Sequence, residues 1–185
     1  MKFRTLFPLV LVTGMAAGAS TTLAAGMHAG SHGNGFAFGQ PAKASQATRT
    51  VTVVMRENLY EPENIAVQAG ETNRFVIRNE GAFVHEFNIG TAAMHAEHQK
   101  QMMIMVGHGA LEPDRINRER MKMDMGGGMT MEHDDPNSVL LEPGQSGEIV
   151  WTFTKAAELE FACNVPGHYD AGMVGTMSVK PRSGS

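Results

Sequence analysis

Residues 158–181 read ELEFACNVPGHYDAGMVGTMSVKP. Leu159, Phe161 and Cys163 alternate, which puts all three on one buried face of a strand. Pro166-Gly167 marks a turn, and GTMSV resumes as a second strand after it. The loop between these strands gathers Cys163, His168 and Met173. It holds the only cysteine of a 185-residue chain that has 8 histidines and 15 methionines. A lone cysteine that packs as a small hydrophobe needs no partner. A lone cysteine followed at equal spacing by a histidine and a methionine asks for another reading.

The same texture extends outward from the loop. On its N-terminal side, SVLLEPGQSGEIVWTFT alternates Ile149, Trp151 and Phe153 on one face. Further back, TRTVTVVMRE, NIAVQAGE, TNRFVIRNEG and VHEFNIG are short β-branched or alternating runs punctuated by Gly, Asn and Pro. Seven or eight strands at this spacing, with no alternation of strand and helix, predict an all-β Greek-key sandwich or barrel over residues 48–181.

The first residues set the compartment. Lys2 and Arg4 precede an apolar run and then small residues, the pattern of a cleavable secretory signal peptide over residues 1–24. Removing those two cations takes the formal charge from -4 to -6. An acidic chain without a basic patch is a poor match for nucleic acid. Residues 25–47, rich in Gly, Ala and Ser, read as a flexible tail that carries Met27, His28 and His32. Export places the mature chain in the periplasm with no membrane span, in an oxidising setting where an unpaired thiol must be buried, cross-linked or held by a metal.

A thiolate, an imidazole and a thioether on one loop suit a soft or borderline ion. Two nitrogens, one thiolate and a weak axial thioether are the type-1 copper set. The second nitrogen has to come from another segment, and His85, at the start of the strand VHEFNIG, is the natural candidate.

VHEFNIG followed at a distance by CNVPGHYDAGMVGTMSV resembles the cupredoxin family of blue copper proteins. The Cys-x4-His-x4-Met spacing is similar to that of rusticyanin and auracyanin, and unlike the shorter Cys-x2-His spacing of plastocyanin. The resemblance implies copper held by His85, Cys163 and His168, with Met173 as the long axial ligand. It also implies electron transfer through His168, within an apolar patch to which Val165, Pro166 and Ala171 contribute. In one place the chain departs from the pattern: many cupredoxins have Asn directly after the first ligand histidine, tying the two ligand loops together, and here Glu86 stands there. Groups around the ligands tune a metal, so this exchange bears on colour and potential.

Strand texture disappears between Gly90 and Ser138, which reads as an insertion over about residues 91–137. Met94, His98, Met102 and Met105 fall at helical spacing on one face, and Pro113 is expected to open a second, charged helix ended by Gly126-Gly127-Gly128. Nine methionines lie between Met94 and Met131, with His95, His98, His108 and His133 among them. A methionine-filled packing face explains the first stripe as well as metal binding does. It does not explain Met121, Met123, Met125, Met129 and Met131, which share no helical face and are interrupted by glycines. Thioethers outside a reducing cytoplasm select Cu(I), so Met94, His98, Met102, Met105 and these five are the candidate cuprous ligands.

A cupredoxin with such a segment resembles copper-tolerance cupredoxins of the CopI type. That resemblance implies copper tolerance, with Cu(I) bound in the insertion and Cu(I)/Cu(II) cycling at a single type-1 centre that exchanges electrons with a c-type cytochrome or a copper-handling protein. The alternatives are a periplasmic one-electron carrier between respiratory proteins and a cuprous oxidase. Multi-electron catalysis by this chain alone is disfavoured, because it contains one such domain and no His-x-His pair. A copper-binding, electron-transfer protein is therefore expected rather than an enzyme.

Overall fold

The computed structural model describes residues 36–132 and 134–182. Residues 1–24, read as a signal peptide, residues 25–35 of the tail and His133 lie outside them. Twelve strands are present among the described residues: β1 (Gly39–Pro41), β2 (Arg49–Arg56), β3 (Leu59–Glu61), β4 (Asn64–Gln68), β5 (Thr72–Asn79), β6 (His85–Gly90), β7 (Lys122–Gly126), β8 (Met129–Glu132), β9 (Ser138–Leu141), β10 (Ser146–Phe153), β11 (Ala157–Ala162) and β12 (Val174–Lys180). One α-helix, α1 (Ala92–Gly107), follows β6.

Two mixed five-stranded sheets make the expected sandwich, one in the order β1-β10-β5-β2-β3 and the other β4-β12-β11-β6-β9. The alternating residues point between them: Ile149, Trp151 and Phe153 from the first sheet, and Phe87, Leu159 and Phe161 from the second, are all buried. Phe87 and Phe161 pack at a tilt with ring centres 5.3 Å apart, and Tyr60 meets Phe161 edge-on at 5.1 Å. This aromatic layer lies beneath the strands that carry the ligand candidates.

The domain begins earlier than composition suggests. Residues 36–47, read as part of a flexible tail, contain β1, which pairs antiparallel with β10 from Gly39↔Phe153 to Pro41↔Trp151. Phe36 and Phe38 pack on Trp151 at 5.1 and 5.6 Å. Both lie in a turn just before β1, closed by Gly39 N–H to Phe36 O at 3.0 Å, and their packing on Trp151 outweighs the surrounding glycines.

The insertion is helical only in its first part. Thr91 caps α1 by accepting from the Met94 N–H at 3.3 Å, and the buried residues of the helix are His95, His98, Met102 and Met105. The second, charged helix does not form. Pro113 lies in a turn closed by a Leu111↔Ile116 bridge, and its carbonyl accepts from Val84 N–H at 2.7 Å. Beyond a short 3-10 turn at Arg118–Arg120, β7 and β8 form a hairpin, with Met123 opposite Met131. Gly127 and Gly128 have φ of +64° and +80°, the two left-handed positions that a two-residue hairpin turn requires. A pattern of period two flanking a Gly-Gly turn is a hairpin signal, and it overrides the local charge that suggested a helix.

Candidate metal centre

The ladder between β11 and β12 ends at Ala162↔Val174, so the ligand loop starts and finishes at one point of the second sheet. Its backbone closes on itself: Cys163 N–H donates to Met173 O at 3.1 Å, Met173 N–H to His168 O at 2.9 Å, and His168 N–H to Val165 O at 3.0 Å. Gly167 and Gly172 take φ of +87° and +96°, conformations that favour glycine. A loop this tightly bonded fixes Cys163, His168 and Met173 before any ion arrives.

His85 opens β6, which lies between β11 and β9. The loop before it is shaped by Asn79, whose Nδ2 donates to Phe83 O at 2.8 Å and to Leu141 O at 2.9 Å, while its Oδ1 accepts from Gly81 N–H at 3.0 Å. A side chain at Gly81 would come within 2.9 Å of the His85 ring and 2.7 Å of the Glu57 carboxylate. The approach of that loop to His85 therefore needs glycine.

Three ligand atoms converge. His85 Nδ1 and His168 Nδ1 are 3.2 Å apart, Cys163 Sγ is 3.3 Å from His168 Nδ1, and it is 4.0 Å from His85 Nδ1. A point equidistant from three atoms so spaced is about 2 Å from each, close to metal–nitrogen and metal–sulfur bond lengths. Among the described residues this is the one cluster of three histidine, cysteine or acidic groups close enough to share an ion. Burial pushes the Cys163 thiol up to about 12. Burial and the neighbouring His168 bring His85 down to about 4, and burial also lowers His168. Near neutral pH the copper-free site is thus uncharged, with nitrogen lone pairs available and one thiol proton to displace. Met173, fully buried beside this cluster in sequence, is held by its backbone bonds to Cys163 and His168.

Glu86 carries the tie between the loops. Its carboxylate is fully buried. Oε2 accepts from the N–H of Asn164 at 3.2 Å and from its Nδ2 at 2.8 Å. Oε1 accepts from Ser138 Oγ at 2.5 Å and from His98 Nε2 at 2.9 Å. The Glu86 N–H points at Cys163 Sγ at 3.3 Å, and its carbonyl accepts from Tyr60 OH at 2.5 Å. A longer carboxylate in place of Asn still joins the two ligand segments and reaches a third. Glu86 could be singled out from sequence as a departure, but its partners Tyr60, Ser138 and Asn164 could not, since each is an ordinary polar residue there.

The remaining candidates separate. Met102 and Met105 are buried with Val84, Leu111, Ile116 and Leu140 in a second apolar cluster, so their surroundings are those of packing residues. Met94 is half-buried against the main core. His98 faces Glu86 and, through Nδ1, Gln101 Oε1 at 3.3 Å. Met121 is half-buried against the second cluster. The side chains of Met123, Met125, Met129 and Met131 lie outside the described residues. His95, counted in the sequence but given no role, is fully buried and packs against Tyr169 at 6.0 Å.

Comparison with known proteins agrees with the geometry. A cupredoxin-like domain model matches residues 33–94. The copper-resistant cuproprotein CopI of Pseudomonas aeruginosa is 54% identical over 154 residues, covering 80% of this chain and 85% of its own. CopI of Rubrivivax gelatinosus is 42% identical, covering 83% and 81%, and CopI of Vibrio cholerae 30%, covering 74% and 68%. The sandwich resembles auracyanin B, with a TM-score of 0.56 at 19% identity over 78% of this chain and 97% of that one. It also resembles an auracyanin of Roseiflexus castenholzii, at 0.51 and 24% over 73% and 99%. A sandwich with a convergent His-Cys-His cluster and these relatives places the chain in the CopI family of copper-resistant cuproproteins, built on the cupredoxin fold.

Proposed function

We propose that this is an exported copper-tolerance protein that cycles one copper between Cu(I) and Cu(II) at His85, Cys163, His168 and Met173, and that takes Cu(I) as cargo in its methionine-rich insertion. The observation that carries this reading is the convergence of two Nδ1 atoms and one Sγ within 4.0 Å in a buried, uncharged pocket. Copper bound there supplies a one-electron couple, and a mixed nitrogen, thiolate and thioether set suits both of its oxidation states.

The residues present divide the work. Cys163 gives up its thiol proton on binding, which burial otherwise retains. His85 is fully shielded, whereas His168 is only partly buried, so His168 is the edge through which an electron enters or leaves. The closed backbone loop holds the ligands in place as the charge of the site changes. Export to the periplasm rests on the signal pattern of residues 1–24. Among the described residues no helix is long and apolar enough to cross a membrane.

Titration of the mature protein with Cu(II), followed by visible absorption and metal analysis, tests the centre. The wild type is expected to turn blue or green at one equivalent, and Cys163→Ser to bind without colour, because the absorption is thiolate-to-copper charge transfer. Full colour in Cys163→Ser would refute the assignment.

A further inference from the structure

Among the contacts of the insertion with the second sheet, which include Asn137 on Asn88 and Ile89 of β6 and an apolar cluster around Leu140 of β9, one centres on a buried carboxylate. His98 lies near the beginning of the insertion, on α1, and Ser138 directly follows its end, as the first residue of β9. Both donate to Glu86 Oε1. The other oxygen receives the backbone and side chain of Asn164, the residue after Cys163. The Glu86 N–H is also aimed at the Cys163 sulfur. One buried residue therefore touches His98 in the insertion, Ser138 just after it, the Cys163 sulfur and the residue that follows the cysteine.

These contacts are costly to lose. A buried carboxylate without donors is strongly disfavoured, so Glu86 follows its partners if they move. Hydrogen bonding at a cysteine sulfur is one of the levers that sets the potential of a copper–thiolate centre. Movement of Glu86 would change the N–H···S bond and the anchor of the Cys163 loop together.

We propose that His98 and Ser138 are positioning residues for the copper centre, and that the insertion, through the Glu86 clamp, sets the environment of the Cys163 thiolate. His98 then serves the type-1 site through Glu86 and is not a ligand to cargo copper. The inference rests on the type-1 reading above, and wild-type colour tests that reading first and separately.

The experiment uses the full mature chain loaded with Cu(II). Reduction potential and the relative intensities of the thiolate charge-transfer bands are measured for His98→Gln, Ser138→Ala and Met102→Leu, with thermal midpoints taken on the copper-free forms. His98→Gln and Ser138→Ala should each shift the bands and lower the potential, because a weakened N–H···S bond favours Cu(II). Met102→Leu, which perturbs the same helix at its apolar contact, should change the thermal midpoint at most. Within a Glu86→Gln background, His98→Gln should produce less than half of the shift that it produces in the wild type, as expected for residues acting in one chain of contacts. A fall in thermal midpoint with unmoved bands and potential would overturn the proposal, as would a His98→Gln shift of equal size in the Glu86→Gln background. Should His98→Gln fail to fold, Ser138→Ala, which removes one hydroxyl, decides alone, and unmoved bands in that variant count against the clamp.

Discussion

Two histidines beside Glu86 are displaced in opposite directions. His85 is brought down to about 4 by burial and by His168. For His98 burial opposes the charge, but the Glu86 carboxylate more than offsets it and raises the ring to about 9. A histidine lowered in the fold costs stability as pH falls, here from 6.5 to about 4. One raised in the fold contributes fully below 6.5 and loses that contribution as pH rises through about 9. Copper-free protein should thus be most stable near neutrality. Its free energy of urea unfolding should decline on both sides, with a slope of at most about 1.4 kcal/mol per pH unit for each proton. His98→Gln should flatten the limb between pH 6.5 and 9 and leave the acid limb, and an unchanged alkaline limb would remove His98 as its source. Met173 belongs to the same scale. With the loop's backbone bonds retained, Met173→Leu should raise the potential and Met173→Gln lower it, since an oxygen donor favours Cu(II) and loss of any axial donor disfavours it. Voltammetry showing neither change would exclude an axial role. His85 and Cys163 were legible because they sit at strand ends marked by alternation, and His168 because the Pro166-Gly167 turn places it on the loop between two such strands. The Glu86 partners Tyr60, Ser138 and Asn164 were not, because they come from positions 26, 52 and 78 residues away, and no local pattern announces such contacts.

At the level of elements, the insertion uses methionine in two ways. Met102 and Met105, exposed by 0% and 1%, join α1 to β9 and the 111–116 turn through an apolar cluster. Met102→Ala should cost about 2–5 kcal/mol by opening a cavity there, and Met102→Leu less than about 1.5 kcal/mol. The helical stripe was legible from spacing, but spacing alone does not distinguish a face that packs from one that binds. The hairpin of β7 and β8 was missed for a different reason. Its alternation was visible as a failure of helical period, while the adjacent Arg, Glu and Lys residues favoured a helix, and the Gly127-Gly128 turn decided the outcome. Changing Met121, Met123, Met125, Met129 and Met131 together to Leu keeps apolar volume and removes sulfur. If the segment holds cuprous cargo, competition with a Cu(I) chelator should show fewer ions bound, with the type-1 spectrum intact and copper tolerance reduced in cells. Unchanged stoichiometry and tolerance would favour the plain electron carrier.

Across the whole molecule, the two sheets have separate tasks: β6 and the β11–β12 loop carry the proposed ligands, and the opposite sheet closes the shared core beneath them. β1 forms an edge of that opposite sheet, far in connectivity from the proposed copper ligands. Phe38 is 3% exposed there, Phe36 meets the Trp151 ring edge-on, and Gly39 passes so close to Trp151 and Thr152 that a side chain would collide with both. A variant beginning at Thr48, where strand texture first becomes obvious, should lose this cover. Burial of Phe38 alone contributes about 1.5–3 kcal/mol, and the β10 edge would be left unpaired. Relative to a chain beginning at Phe36, the shorter variant should unfold at lower urea. Its native emission, from the one tryptophan of the chain, should shift to the red as Trp151 meets water. The thiolate-to-copper bands should persist, because every ligand candidate lies in the other sheet and its loops. Equal urea midpoints and equal emission would show that β1 adds nothing to the fold. Loss of colour in a variant that stays folded would show that the two sheets do not divide the work in this way.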